Sequence, residues 1–381
     1  MTRKAGQGEG TRPTKRADGR WAVAVTLPGS GARRWFYGKT RREAVEKLNG
    51  AVRDVQQGRP LPPGRLTVGQ YLERWLETVR GRLRPSTHHS YMSYCHKHLV
   101  PRLGRHTLAA LQPLDVSHAL ADMAAVGLSP RTCQYARAIL RSALHDASRW
   151  GLLGERNAAG LADVPKGLAK EGAPLEPEQA STLLASAADQ PIGPLVTVLL
   201  ASGLRLGEAL GLRWDDVDLE RSRLQVRSTL VRVRGEHWRL GPPKSQSGAR
   251  IVPLIPIALE ALCTQRERQQ LDRQRAGAAW QEHAAGGFVF ASSIGTPLDG
   301  TNALHALKRV LRHAGLPTSF RLHDLRHSTA TYLLAGGLDP RIVMQIMGWS
   351  QISMLKRYQH VLPAMLTDAA ERLHAVFPTP K

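Results

Sequence analysis

Arg321-Leu322-His323-Asp324-Leu325-Arg326-His327 is the stretch on which the reading of this 381-residue chain turns. Pro317 lies before it and Gly336-Gly337 after it. Leu322, Leu325, Thr329, Tyr332 and Leu333 recur at helical spacing, which predicts the start of a helix. On that helix His323 and Arg326 stand at i and i+3 and share a face. An imidazole beside a guanidinium is unfavourable unless an anion sits between them, and in so basic a chain a phosphodiester is the obvious anion. Such a pair asks for a nucleophile, and Tyr358 follows His323 by 35 positions.

His323 and His327, at i and i+4, also have the spacing of a zinc-binding HExxH helix, with Asp324 where the glutamate should stand. Arg326 between them would repel a divalent cation, and no third ligand is evident. His327 reads most simply as a packed or hydrogen-bonded structural residue.

The formal net charge of +22 implies a polyanionic partner, of which nucleic acid is the commonest. With 42% hydrophobic residues the chain can build real cores, and its length suits two or three domains. The three cysteines, Cys95, Cys133 and Cys263, fit no CxxC pattern, so neither a zinc knuckle nor a disulfide framework is expected. No apolar run approaches the ~18 residues of a membrane span and no hydrophobic core follows the charged N-terminus, so the expected location is cytoplasmic, associated with the nucleoid.

Residues 1–17 read as a flexible basic tail. Alternation at Trp21, Val23 and Val25, a turn at Pro28-Gly29-Ser30-Gly31, and alternation again at Trp35 and Tyr37 predict a hairpin. Thr40-Arg41-Arg42-Glu43 then caps a helix, so 18–60 forms a small sheet-plus-helix module. Residues 1–65 hold fifteen Lys and Arg against five Asp and Glu, nearly half of the chain's charge excess. Arg33, Arg34, Lys39 and Arg41 are the DNA-binding candidates here, a solvated charged face being the plain alternative. Residues 66–155 read as all-helical. Helices open at Thr67, Pro85 and Pro113, a break falls at Pro101–Gly104, and the last helix presents Arg131, Arg137 and Arg141 opposite its apolar side. Residues 156–174 read as a linker, and 175–381 as a mixed α/β domain with strands within Asp216–Val233 and at Ile251–Leu254. The expected fold class is therefore α+β, mainly helical.

Two further clusters carry chemistry. In Ser202-Gly203-Leu204-Arg205-Leu206-Gly207-Glu208 a carboxylate at i+3 can hold Arg205 in one rotamer, although an ordinary surface ion pair has the same spacing. Lys244, in a polar loop between two strands, can enter a groove of DNA and give a proton to a leaving oxygen. Bases flanking Tyr358 favour its phenolate, and a phenol so placed can attack phosphorus.

Gly203-Leu204-Arg205-Leu206-Gly207-Glu208, Lys244 before a returning strand, His323-Asp324-Leu325-Arg326-His327, Gly348-Trp349 and Tyr358 together resemble the tyrosine recombinase (phage integrase) family. Their order is the family's, and Trp349 precedes Tyr358 by nine residues. The likeness covers 66–381, with the module before it similar to the arm-type DNA-binding module of mobile-element integrases. It implies an all-helical core-binding domain at 66–155 and a catalytic domain at 175–381.

The resemblance assigns roles. Tyr358 would attack the scissile phosphate, forming a 3′-phosphotyrosine and freeing a 5′-hydroxyl. Arg205 and Arg326 would offset the growing negative charge, Lys244 would protonate the leaving oxygen, and His323 would help Tyr358 lose its proton. Glu208 would orient Arg205. Many members carry His where Trp349 stands; an indole N–H donates but cannot accept, which leaves a hydrogen bond to phosphate and packing. No metal and no ATP are expected. The implied partners are double-stranded DNA at core-type and arm-type sites, a homotetramer assembled through an amphipathic helix after Tyr358, a host DNA-bending protein and an excisionase. Alternatives are a chromosome-dimer-type recombinase, a type IB topoisomerase-like relaxase, and a non-catalytic DNA-binding regulator.

Overall fold

The structure, a computed structural model, describes residues 11–26, 33–56, 66–165, 167, 174–232, 238–243, 246–282 and 287–361. The fold is α+β and mainly helical. The chain divides into two compact units, Met1–Ala169 and Lys170–Lys381.

The first unit begins with a three-stranded antiparallel sheet: β1 (Thr14–Lys15), β2 (Trp21–Thr26) and β3 (Arg33–Gly38), in the order β1-β2-β3. β1 falls in the segment expected to be a flexible tail. Its pairing with Ala22 and Trp21, and the Thr11 N–H bond to the Ala24 carbonyl, fasten that segment to the sheet edge. Helix α1 (Arg41–Gln56) covers one face, where Val23 and Val25 meet Ala44 and Leu48. On the other face Trp35 and Tyr37 pair with Ala24 and Ala22 and remain exposed. The guanidinium carbons of Arg16 and Arg20 lie 5.5 and 5.8 Å from the Tyr37 ring centroid.

Helix α2 (Val68–Val79) is fixed at its start by Thr67 and Gln70 in a capping box and buries Tyr71, Leu72, Trp75 and Leu76 along one stripe. Helices α3 (Pro85–Tyr94), α4 (Val100–Leu103), α5 (Pro113–Ala125) and α6 (Pro130–Arg149) complete the bundle. The break expected over Pro101–Gly104 falls at the far end of that stretch: α4 stops at Leu103, with Gly104 as its cap, and Pro101 itself lies inside the helix. A π-turn over Cys95–Leu99 joins α3 to α4, and the Val100 N–H reaches the Cys95 carbonyl, five residues back. The wider turn moves away the carbonyl that the proline ring would otherwise meet, so the helix passes through Pro101. Asp146 on α6 accepts from Trp75 Nε1 and from Arg82 Nη2, both at 2.9 Å, which ties α6 to α2. Within the span expected to act as a linker, α7 (Ala158–Leu161) packs Ala158 and Ala159 into this core.

The second unit is built round α9 (Gly193–Ser202), which is apolar on all sides and buried. Packed with it are α8 (Pro177–Ala187), α10 (Leu206–Leu210), α11 (Pro256–Ala276), α12 (Gly300–His313) and α13 (Leu322–Ala335); α14 (Pro340–Met347) follows. A small sheet of β4 (Val217–Asp218), β5 (Arg223–Val226) and β8 (Arg250–Pro253) pairs Leu224 with Val252 and Val226 with Arg250. A second hairpin joins β6 (Thr229–Val231) to β7 (Arg239–Gly241). The returning strand is thus β8 as expected, whereas β7, only Arg-Leu-Gly, is too short to show alternation.

Candidate active site

Arg205, Glu208, Arg326, Trp349 and Tyr358 converge through the ends of three helices. Helix α9 ends at Gly203, whose left-handed φ of 63° turns the chain toward α10; a Cβ there would lie 2.7 Å from Met347 Sδ. Arg205 and Glu208 form the first turn of α10: the Arg205 backbone N–H donates to Glu208 Oε2 at 3.0 Å and Nη1 to Oε1 at 2.6 Å. This is the clamp expected from the i+3 spacing, and because the Glu208 carboxylate is buried it is no ordinary surface pair.

Helix α13 starts where expected, with Asp324 accepting from the Arg321 backbone and guanidinium. Burial would raise the Asp324 pKa, but the Arg321 bonds outweigh it and hold the carboxyl below its usual range. Arg326 is buried, with Nη1 donating to the Gly203 carbonyl and Nη2 to the Met347 carbonyl. Arg205 Nη2 donates to the next carbonyl, Gly348, at 3.2 Å. Both arginines therefore grip the same C-terminal turn of α14, the turn that leads into Trp349.

Glu208 Oε2 also accepts from Arg250 Nη2 at 3.0 Å and lies 4.0 Å from Arg326 Nη1. Desolvation would raise the Glu208 pKa, yet Arg250 and then Arg205 keep it below the ordinary value. One carboxylate among three guanidiniums leaves a surplus of positive charge. Desolvation and then the neighbouring Arg205 lower the Arg326 pKa to about 9. Of the three, Arg205 reaches solvent, its side chain 35% exposed against 3% for Arg326 and 4% for Arg250.

Tyr358 lies in the 3₁₀ segment Ile352–Val361, at a kink with φ −109° and ψ 16°, the sparsely populated bridge region. Its ring stacks on Trp349 with centroids 5.4 Å apart and 25° between planes, among Leu334, Val343 and Met347. The hydroxyl leaves this apolar setting and meets His327 Nδ1 at 2.8 Å. The imidazole in contact with Tyr358 is thus that of His327, not the expected His323. The cause is position: residues one helical turn apart point to one side, and the kink sets the phenol level with the later of the two. The rings of His323 and His327 lie edge to face, centroids 4.9 Å apart. His323 keeps contact with solvent, yet the protein packed beside it partly desolvates the imidazole. That desolvation, then the charges of His327 and Arg326, push its pKa down to about 4.

Trp349 packs on Tyr358 and has the Arg326 guanidinium 6.0 Å from its ring centroid, the packing role expected for an indole. Lys244 lies outside the described residues, between β7 and β8. Among the described residues no group of three His, Cys, Asp or Glu is placed to hold a metal ion.

The DNA-binding candidates are spread over the first unit. Arg33 and Arg34 begin β3, opposite Thr26 and Val25, and Lys39 and Arg41 are exposed at the start of α1. Arg131 and Arg141 are exposed on α6, whereas Arg137 is half-buried and donates to the Ala162 carbonyl. Arg137 and Arg141 line an open groove with His145 and Arg156.

Residues 174–365 match the model of the phage integrase family, and 67–123 that of the phage integrase N-terminal SAM-like domain. An integrase of Saccharopolyspora erythraea is 28% identical over 94% of this chain and 95% of its own length. A tyrosine recombinase XerC of Rhodospirillum centenum is 30% identical over 79% of this chain and 84% of its own. The Tn1549 transposon integrase, solved in complex with transposon right-end DNA, superposes with a TM-score of 0.70 at 25% identity, covering 81% of this chain and 99% of that one. No helix among the described residues is long and apolar enough to cross a membrane. With half of its length matched and the guanidinium–phenol site assembled in the matched half, the chain belongs to the phage integrase family, the tyrosine recombinases.

Proposed function

We propose that this chain is a site-specific DNA recombinase, an integrase that cuts and rejoins DNA through a 3′-phosphotyrosine to integrate and excise a mobile element. The observation that carries this reading is the Tyr358 hydroxyl held 2.8 Å from an imidazole, beside a turn gripped by Arg205 and Arg326.

In the cleavage step the Tyr358 oxygen forms a bond to phosphorus as the bond from phosphorus to the 5′ oxygen breaks. The phenolic proton passes to His327 Nδ1, and Lys244 supplies a proton to the departing oxygen. Arg205 meets the phosphate from the open side. Arg326 adds fixed positive charge from behind, which costs no reorganisation when charge develops. His323, neutral at working pH, donates its N–H to a phosphate oxygen, and Glu208 holds Arg205. The fixed cations carry the charge work, and the phosphotyrosine conserves the energy of the broken bond, so neither a metal nor ATP is called for. Tyr358 is 4% exposed, so the Ile352–Val361 segment must shift to admit a phosphate.

Double-stranded DNA is bound at core-type sites by the helical bundle, and at arm-type sites by the exposed sheet face of Trp35, Tyr37, Arg16 and Arg20. Basic side chains interleaved with aromatic ones suit a nucleic acid. A homotetramer in the synaptic complex, a host DNA-bending protein and an excisionase complete the proposal. The expected tetramer helix, 362–381, lies outside the described residues. A chromosome-dimer-type role is the second reading, favoured by the XerC relative; the basic sheet module argues for the first.

The test is a nicked duplex from the ends of the DNA element that carries the coding sequence. Wild type should give a covalent protein–DNA adduct and Tyr358→Phe none, and two sites mixed together should yield exchanged products. An adduct that survives Tyr358→Phe overturns the chemistry, while relaxation without exchange would favour a topoisomerase-like enzyme.

A further inference from the structure

Arg250 opens β8 at an inward-facing position, where alternation calls for an apolar side chain; Ile251 points out and Val252 in. A guanidinium on a side chain only 4% exposed needs a carboxylate and acceptors for its N–H groups. Three separate segments supply them. Nη2 donates to Glu208 Oε2 on α10 at 3.0 Å, Nε to the Ile346 carbonyl on α14 at 2.6 Å, and Nη1 to the Gly248 carbonyl before β8 at 3.1 Å.

These bonds reach both halves of the site. Glu208 Oε1 takes the Arg205 guanidinium, while Oε2 takes both the Arg205 backbone N–H and the Arg250 guanidinium, so Arg250 helps to set the plane of the carboxylate and with it the direction of Arg205. At its other end Arg250 holds Ile346, next to the carbonyls of Met347 and Gly348 that receive Arg326 and Arg205. Gly348 adopts a left-handed φ of 61°, and a Cβ there would come within 2.9 Å of Arg250 Nη1. The backbone therefore closes directly on this guanidinium.

We propose that Arg250 is a positioning residue for strand cleavage, fastening the carboxylate that aims Arg205 to the backbone turn that carries Trp349 and Tyr358. Its burial keeps it from DNA. A lysine in its place has charge but no planar fork, and cannot serve the three acceptors at once. The inference rests on the recombinase reading above.

The test uses the full chain and the nicked duplex of the previous section, with the scissile phosphate either normal or replaced by a methylphosphonate. The methyl group removes the negative charge that the guanidiniums offset. Arg250→Lys should keep the circular dichroism and DNA affinity of wild type yet cleave the phosphodiester about 100-fold more slowly, the effect of a small misplacement of a charged group. Its loss on the methylphosphonate should be much smaller. Arg250→Gln should behave alike, and should it fail to fold, the lysine variant decides. A wild-type rate in Arg250→Lys, or equal losses on the two substrates, overturns the role of Arg250 alone. No adduct from wild type on the phosphodiester would remove the recombinase reading and this inference with it.

Discussion

The Tyr358 hydroxyl lies 2.8 Å from Nδ1 of His327, one turn further along the helix than His323. Removing that contact separates a proton acceptor from a mere holder. His327→Gln keeps a hydrogen-bonding side chain but no base. If His327 takes the phenolic proton, adduct formation should fall about 100-fold or more and the pH–rate profile should lose the limb that a proton-accepting base contributes. A glutamine variant with the wild-type rate and profile would reduce His327 to a support.

Trp349 and Tyr358 stack, but only one carries a reacting atom. Trp349→Phe retains an aromatic face against Tyr358 and should leave measurable cleavage; Tyr358→Phe should abolish it. Equal loss in a suicide-substrate assay would show the roles to be misassigned.

His323, with its pKa pushed to about 4 against an ordinary 6.5, is neutral across the physiological range. The unfolded chain takes up this proton as pH drops below 6.5 and the folded chain does not until near 4. His323 therefore lowers stability as pH falls through that window. A phosphate at the site favours the imidazolium, so an NMR titration of the ring should show its midpoint rise when DNA is added. A midpoint near 6.5 without DNA would contradict the packing described.

Asp146 governs the helical bundle. Burial would raise its pKa, but Trp75, Arg82 and Arg149 hold it below the ordinary range. Its contribution is therefore present above the unfolded carboxylate pKa and lost as pH falls through the folded one. Asp146→Ala should cost about 2 kcal/mol in urea unfolding at pH 7 by leaving Trp75 Nε1 without its acceptor. The difference from wild type should shrink as the pH falls below the ordinary carboxylate range. A constant difference would place the effect in packing instead of charge.

Local spacing made much of this site legible. Arg205 with Glu208, His323 with Arg326, and the start of α13 are relationships within one helical turn, and their side chains can only lie side by side. Relations set by tertiary packing were not. That His327 faces Tyr358 depends on a kink 31 residues away. Arg250 fell at the end of the polar segment expected to join two strands, one residue before the strand expected at Ile251–Leu254; its inward place at the start of β8 is fixed by its pairing with Val226. In the fold, the break expected over Pro101–Gly104 falls at Gly104, a π-turn letting the helix pass Pro101, and β1 had too few residues to betray itself within a polar, glycine-containing tail.

Arg205, Arg250 and Arg326 round the Glu208 carboxylate concentrate positive charge that repels itself. An incoming phosphate supplies the missing counter-charge, so occupancy and conformational stability are thermodynamically linked. The polypeptide is then sturdiest when seated on its substrate, and the same imbalance that weakens it in isolation becomes the affinity that draws it there.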